Sequence, residues 1–95
     1  MAHNLELTYT RPNTSVAWHT VPEEIIDIII AWEDSGKLIS SSESAGEGTV
    51  LTKTFSFDNI DSLNELMNTA SIASQITARN TYNDANGITL DSATS

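Results

Sequence analysis

Leu5, Leu7 and Tyr9 alternate with Glu6, Thr8 and Thr10, the two-residue period of a strand with one buried face. Arg11-Pro12-Asn13-Thr14 then reads as a turn, because proline presets φ at the second turn position. Val16 and Trp18 resume the alternation, either as a return strand or as a bent continuation of the first. After them the period changes. Ile25, Ile28, Ile29 and Trp32 follow the i, i+3, i+4, i+7 rule, which predicts a helix over residues 21–35 although β-branched isoleucine alone favours a strand. Its ends agree: Thr20 and Glu23 have capping-box spacing, Pro22 falls in the first turn where no N–H is needed, and Gly36 stands where a left-handed residue closes a helix.

Placed at 100° steps, the apolar residues of this helix cover roughly 200° of its circumference, against the usual stripe of about 100°. Glu23, Glu24, Asp27 and Asp34 form the polar wedge. Ile26 and Ile30 lie off the main stripe and call for a second surface, either another helix of the chain or the same helix of a partner subunit.

Residues 37–44 (KLISSSES) read as a weak strand, 45–48 as a turn, and 49–57 as a stronger strand with Leu51, Phe55 and Phe57 on one face, which together make a hairpin. Asp58 or Asn59 is placed to cap the next helix, in which Ile60, Leu63, Leu66, Met67 and Ala70 keep helical spacing. A further helical segment runs from Ile72 to Asn86, with Ile72, Ile76 and Arg79 on one line and Gly87 as its stop. One helix over residues 60–86 would be about 40 Å long, so a break is expected near Ser71. Ile88-Thr89-Leu90 reads as a short last strand and residues 91–95 as a loose tail, leaving residues 1–90 as a single α+β domain. The order strand, helix, hairpin, helix, strand is that of a ferredoxin-like sandwich, an antiparallel sheet with two or three helices packed on one face.

Thirteen acidic residues against four basic ones give a net charge of −9, which favours solubility and opposes phosphate backbones and anionic lipid, so neither nucleic acid nor membrane is expected as a partner. With no cysteine, disulfides, thiolate zinc sites and cysteine nucleophiles are excluded. The first residues have no basic and apolar leader pattern, and the longest apolar run is the five residues from Ile28 to Trp32. A cytoplasmic location follows as the expectation.

Little of the chain carries recognisable chemistry. His3 and His19 have no partner at metal-binding or triad spacing, so no catalytic residue, metal or cofactor is expected. Three charges interrupt apolar faces: Glu33 on the first helix, Lys53 between Leu51 and Phe55, and Arg79 after Ile72 and Ile76. They reach the rim or offset one another's desolvation, or else Lys53, Arg79 and Tyr82 line a polar cavity between sheet and helices that binds a small anion or acid. Trp18 and Trp32 read as core or interface anchors.

The segments TRPNTSVAW, DSGKLI and ARNTYNDANGI resemble small uncharacterised proteins of marine cyanobacterial viruses, which implies a viral accessory or structural origin and, with it, the host cytoplasm. The element order is also similar to that of dimeric α+β barrel proteins, some of them monooxygenases or haem-degrading enzymes. The chain departs from the haem degraders, whose Asn, Trp and His are spread over separate elements, because Trp18 and His19 are neighbours. The leading expectation is therefore a non-enzymatic interaction module that self-associates as a dimer through the sheet or through Ile26 and Ile30, with a protein partner as a further possibility. The alternative is a small-molecule binder or cofactor-free enzyme with its site between sheet and helices. A third reading, from charge alone, is an acidic decoy of a basic nucleic-acid-binding protein.

Overall fold

The computed structural model describes residues 2–95. The chain forms β1 (His3–Thr10), α1 (Glu23–Ser35), β2 (Leu38–Glu43), β3 (Val50–Phe57), α2 (Ile60–Met67), α3 (Ala70–Asn86) and β4 (Thr89–Thr94). The strands lie in the order β2-β3-β1-β4, with every neighbouring pair antiparallel. Each crossover, through α1 and through the α2–α3 pair, skips one strand, which is the split β-α-β arrangement expected from the element order.

In the ladder Leu5 stands opposite Phe55, Leu7 opposite Lys53 and Tyr9 opposite Leu51, while on its other side β1 sets Leu7 against Ser92 and Tyr9 against Leu90. The row at Leu7 therefore carries Lys53 and Ser92 on either side of a leucine, with Glu43 beyond Lys53. The core divides accordingly into two buried clusters. One joins Ile25, Leu38, Phe57, Leu63, Leu66 and Ile72; the other joins Tyr9, Leu51 and Ile88, with Trp18 and Tyr82 packed against it. Between the clusters, under α3, a gap is lined by residues of both.

Several local expectations are corrected. Residues 14–18 form no strand, because the Arg11 guanidinium draws the Val16 carbonyl inward at 2.7 Å and Asn13 Oδ1 accepts the Ser15 N–H in a local turn. α1 begins at Glu23 with Pro22 as an extended N-cap and no capping side chain, so the Thr20–Glu23 box does not form. Gly36 closes the helix at φ 82° as expected, and Asn59 caps α2 by accepting the Ser62 N–H. The helix break expected near Ser71 falls at Asn68 and Thr69.

The C-terminal residues 91–94 are not a loose tail. Asp91 to Thr94 pair with Thr8 to Leu5, and the ladder closes with Asn4 and Ser95 exchanging backbone hydrogen bonds at 2.9 and 3.0 Å. Backbone groups along the free edge of β1 supply the drive for this pairing, which needs no apolar side chain. Among the described residues, no helix is long and apolar enough to cross a membrane.

Candidate functional site

The gap beneath α3 is a cavity of about 270 Å³. Its apolar walls come from β1 and β3 (Leu5, Phe55, Phe57) and from α1 and α2 (Ile25, Ile29, Leu66). Its polar groups are His19, Lys53, Gln75, Arg79, Asn83 and Ser92. Ser92 and Met67 line it while exposed, so the cavity reaches solvent.

Of the residues expected to form a polar cavity, Lys53 and Arg79 line this one. Lys53 comes from the middle of β3 and Arg79 from the sheet-facing line of α3. Tyr82 does not line it. Its hydroxyl donates to the Ala17 carbonyl at 2.6 Å and its ring lies 5.2 Å from that of His19, so it buttresses the loop that brings His19 to the cavity. Glu33 stays outside, exposed, where it accepts a hydrogen bond from Ser41 at 2.9 Å.

The electrostatics of the cavity run against those of the chain. Of the four basic residues, Lys37 pairs with Glu65 at 3.1 Å and Arg11 is buried among backbone carbonyls. Lys53 and Arg79 form no ion pair among the described residues, and the Arg79 guanidinium donates only to Asn80 Oδ1. Neither cation has a carboxylate in contact: Lys53 Nζ lies 5.6 Å over the Tyr9 ring, and Arg79 lines the cavity while its guanidinium reaches the exposed Asn80. Burial lowers the Lys53 pKa from its ordinary 10.5, Glu43 across the hairpin opposes this, and Arg79 adds to it. His19 is lowered from 6.5 by burial first, then by Lys53 and Arg79, which favours a neutral imidazole able to accept a proton at neutral pH.

The frame around His19 depends on Arg11. Its Nε donates to the Gly48 carbonyl at 2.8 Å, its Nη1 to Val16 at 2.7 Å, and its Nη2 to Gly46 and Glu47 at 3.2 and 3.1 Å. The Trp18 indole N–H also donates to Gly46, at 2.7 Å. This joins the β1–α1 loop to the β2–β3 turn and holds Trp18, which lines the cavity beside His19.

Sequence reasoning missed three of these groups. His19 lies in an aperiodic loop, Asn83 near a helix end where asparagine is common, and Arg11 in a segment that reads as a simple turn. Charge at an apolar position was the signal that found Lys53 and Arg79. Among the described residues no group of three His, Asp or Glu side chains is placed to hold a metal ion.

No protein-family model and no curated protein matches the chain. Among solved structures it is similar to a dimeric ferredoxin-like protein from an uncultured marine organism, with TM-score 0.59, 13% identity, and coverage of 99% of this chain and 92% of that one. It is similar also to a proposed antibiotic biosynthesis monooxygenase from Deinococcus radiodurans, with TM-score 0.58, 13% identity, and coverage of 98% and 89%. The resemblance to viral proteins gains no support from these neighbours. At such identity the likeness establishes the fold: the chain is a ferredoxin-like α+β protein.

Proposed function

We propose that this protein binds a small amphipathic acid in the cavity under α3, with the carboxylate held by Lys53 and Arg79 and the apolar part against Ile25, Phe55 and Leu66. The observation that carries the reading is the pair of cations without a contacting carboxylate, lining an apolar cavity in a chain of net charge −9. Lys53 is partly taken from water, which is costly without a counter-charge, and a bound acid supplies one. A cavity of 150 Å³ accepts benzene, so 270 Å³ suits a ring with a short chain.

This reading moves the small-molecule alternative ahead of the interaction module. It agrees with the description of the Deinococcus radiodurans neighbour as a proposed antibiotic biosynthesis monooxygenase. His19 supplies a proton acceptor on the cavity wall should the bound acid be a substrate. A second copy of the chain as partner is supported by the dimeric state of the marine neighbour and by the exposure of Ile26 and Ile30 on α1.

Calorimetric titration with 4-phenylbutyrate and its neutral analogue 4-phenylbutanol tests the acid site. The acid is expected to bind saturably and the alcohol far more weakly. Arg79→Ala is expected to weaken the acid by about 1.5–3 kcal/mol, the range for a hydrogen bond to a charged group, with the circular dichroism unchanged. Equal binding of acid and alcohol, or no saturable binding of either, removes the acid site; loss of folding in Arg79→Ala alone assigns that charge a structural part.

A further inference from the structure

We propose that Lys53 is a nucleophile whose amine condenses with the carbonyl of an oxo acid bound in the cavity and holds it as an imine. The inference rests on the cavity being an acid-binding site, and it names both the class of acid and a covalent step.

The chain has two lysines, Lys37 and Lys53, and they stand in opposite surroundings. Lys37 Nζ pairs with Glu65 at 3.1 Å on the surface and lies 5.0 Å over the Trp32 ring, contacts that favour the protonated, unreactive form. Lys53 comes from the middle of β3, is half-buried, and lines the cavity between Leu51 and Phe55, which line it too. It forms no ion pair among the described residues, and its ladder partner Glu43 is exposed. Ser92, on the same row of the sheet beyond Leu7, is exposed and lines the cavity as well, so a ligand from solvent has a way to this amine.

An amine attacks a carbonyl carbon only when neutral, and a lysine is readied for this by an apolar pocket or by a second cation close by. Lys53 has both: burial lowers its pKa most, and Arg79 adds to this against the opposing charge of Glu43. In the step itself the Nζ lone pair adds to the carbonyl carbon and the carbonyl oxygen takes up the proton that nitrogen gives off. The carbinolamine then loses water and leaves a C=N bond. No oxidant or reductant enters. Apolar walls oppose the return of water that would hydrolyse the imine, and the ligand carboxylate is left to Arg79, which lines the same cavity from α3.

The full chain is incubated with 2-oxo-4-phenylbutyrate and sodium cyanoborohydride, which reduces an imine to a stable secondary amine, and peptide mapping by mass spectrometry locates the adduct. Labelling at Lys53 is expected to run about tenfold or more faster than at Lys37, because binding brings the carbonyl to one amine only. Excess 4-phenylbutyrate, which lacks the ketone, is expected to slow labelling at Lys53 and leave Lys37 unchanged. Arg79→Ala, folded by circular dichroism, is expected to slow Lys53 in the same way. Equal labelling of the two lysines, or labelling of Lys53 that the plain acid does not slow, overturns the inference. If 4-phenylbutyrate binds by calorimetry while Lys53 stays unlabelled, the imine falls and the acid site stands; if neither acid binds, the acid site falls as well.

Discussion

The guanidinium of Arg11 lies 4.5 Å over the ring of Trp18, and both side chains donate to the carbonyl of Gly46. Arg11 is only 8% exposed and has no carboxylate partner, so four backbone carbonyls and an indole face solvate its charge. Arg11→Ala removes a buried fork of hydrogen bonds and should cost about 2–4 kcal/mol of stability. Arg11→Lys keeps the charge but loses the planar geometry, and should cost about 1–2 kcal/mol. Urea denaturation gives these values, and Trp18 emission in a Trp32→Phe background should shift red in both variants as the indole gains solvent. An unchanged midpoint would show that water serves those carbonyls equally well.

Gly46 and Gly36 separate two costs of a side chain. Both have positive φ, 65° and 82°, which charges an L-residue about 1–2 kcal/mol. A Cβ at Gly36 would meet nothing within 4 Å, whereas at Gly46 it would stand 3.0 Å from both Leu51 Cδ1 and Trp18 Nε1. Gly36→Ala should therefore lose about 1 kcal/mol, and Gly46→Ala about 1–3 kcal/mol more from overpacking. Thermal melts of the two variants measure the difference. Equal losses would mean that the β2–β3 turn yields without disturbing the indole.

The elements that carry a period were legible in the sequence. β1, β3 and α1 each present apolar residues at the spacing that their buried face requires, and Gly36 and Gly87 mark helix ends because only a residue without Cβ takes positive φ freely. Where backbone groups or a single long side chain decide the structure, the pattern is silent. β4 beyond Leu90 is Asp, Ser, Ala and Thr, with no alternation to read, yet it pairs because β1 offers an open edge. Val16 and Trp18 alternate like a strand, but Arg11 claims the carbonyl between them and the loop turns inward. In the candidate site, Lys53 and Arg79 stood out as charges on apolar faces. Asn83 did not, since its burial depends on how far α3 stands from the sheet, a distance that no local pattern encodes.

The polar groups of the cavity give stability a pH dependence of definite sign. The folded His19 pKa lies below its ordinary 6.5, mainly through burial, so between the two values the unfolded chain holds more protons. Stability should therefore rise with pH through that window and be lower on its acid side. Lys53, lowered from 10.5 chiefly by burial, acts with the same sign at alkaline pH. Urea midpoints of the unmodified chain and His19→Gln, compared from about pH 5 to 7.5, should converge at the acid end relative to the neutral end. A bound acid reverses both shifts, because its negative charge favours the protonated forms. Titrations in buffers of different ionisation enthalpy should then show proton uptake, with affinity falling as pH rises. Proton release on binding would place the carboxylate away from these groups.

Self-association through α1 can be judged from its apolar and charged faces together. Ile26 and Ile30 are 47% and 51% exposed, and one turn of helix separates them, so they form a short apolar seam on the outer side of α1. Glu23, Glu24 and Asp27 border it, and the whole chain carries −9. Two copies meeting there gain apolar burial but repel, and salt screens the repulsion over a Debye length of about 10 Å at 0.1 M. Sedimentation equilibrium should accordingly show a monomer–dimer exchange that tightens as salt is raised. Ile26→Glu combined with Ile30→Glu should hold the chain monomeric at all salt concentrations, while surface substitution leaves folding stability within about 0.5 kcal/mol per site. A dimer that persists in the double variant would move the seam to the outer face of the sheet, where Glu6, Thr8, Thr52 and Thr54 stand in register. A monomer at high micromolar concentration in every salt would leave the exposed isoleucines without a second copy to cover them.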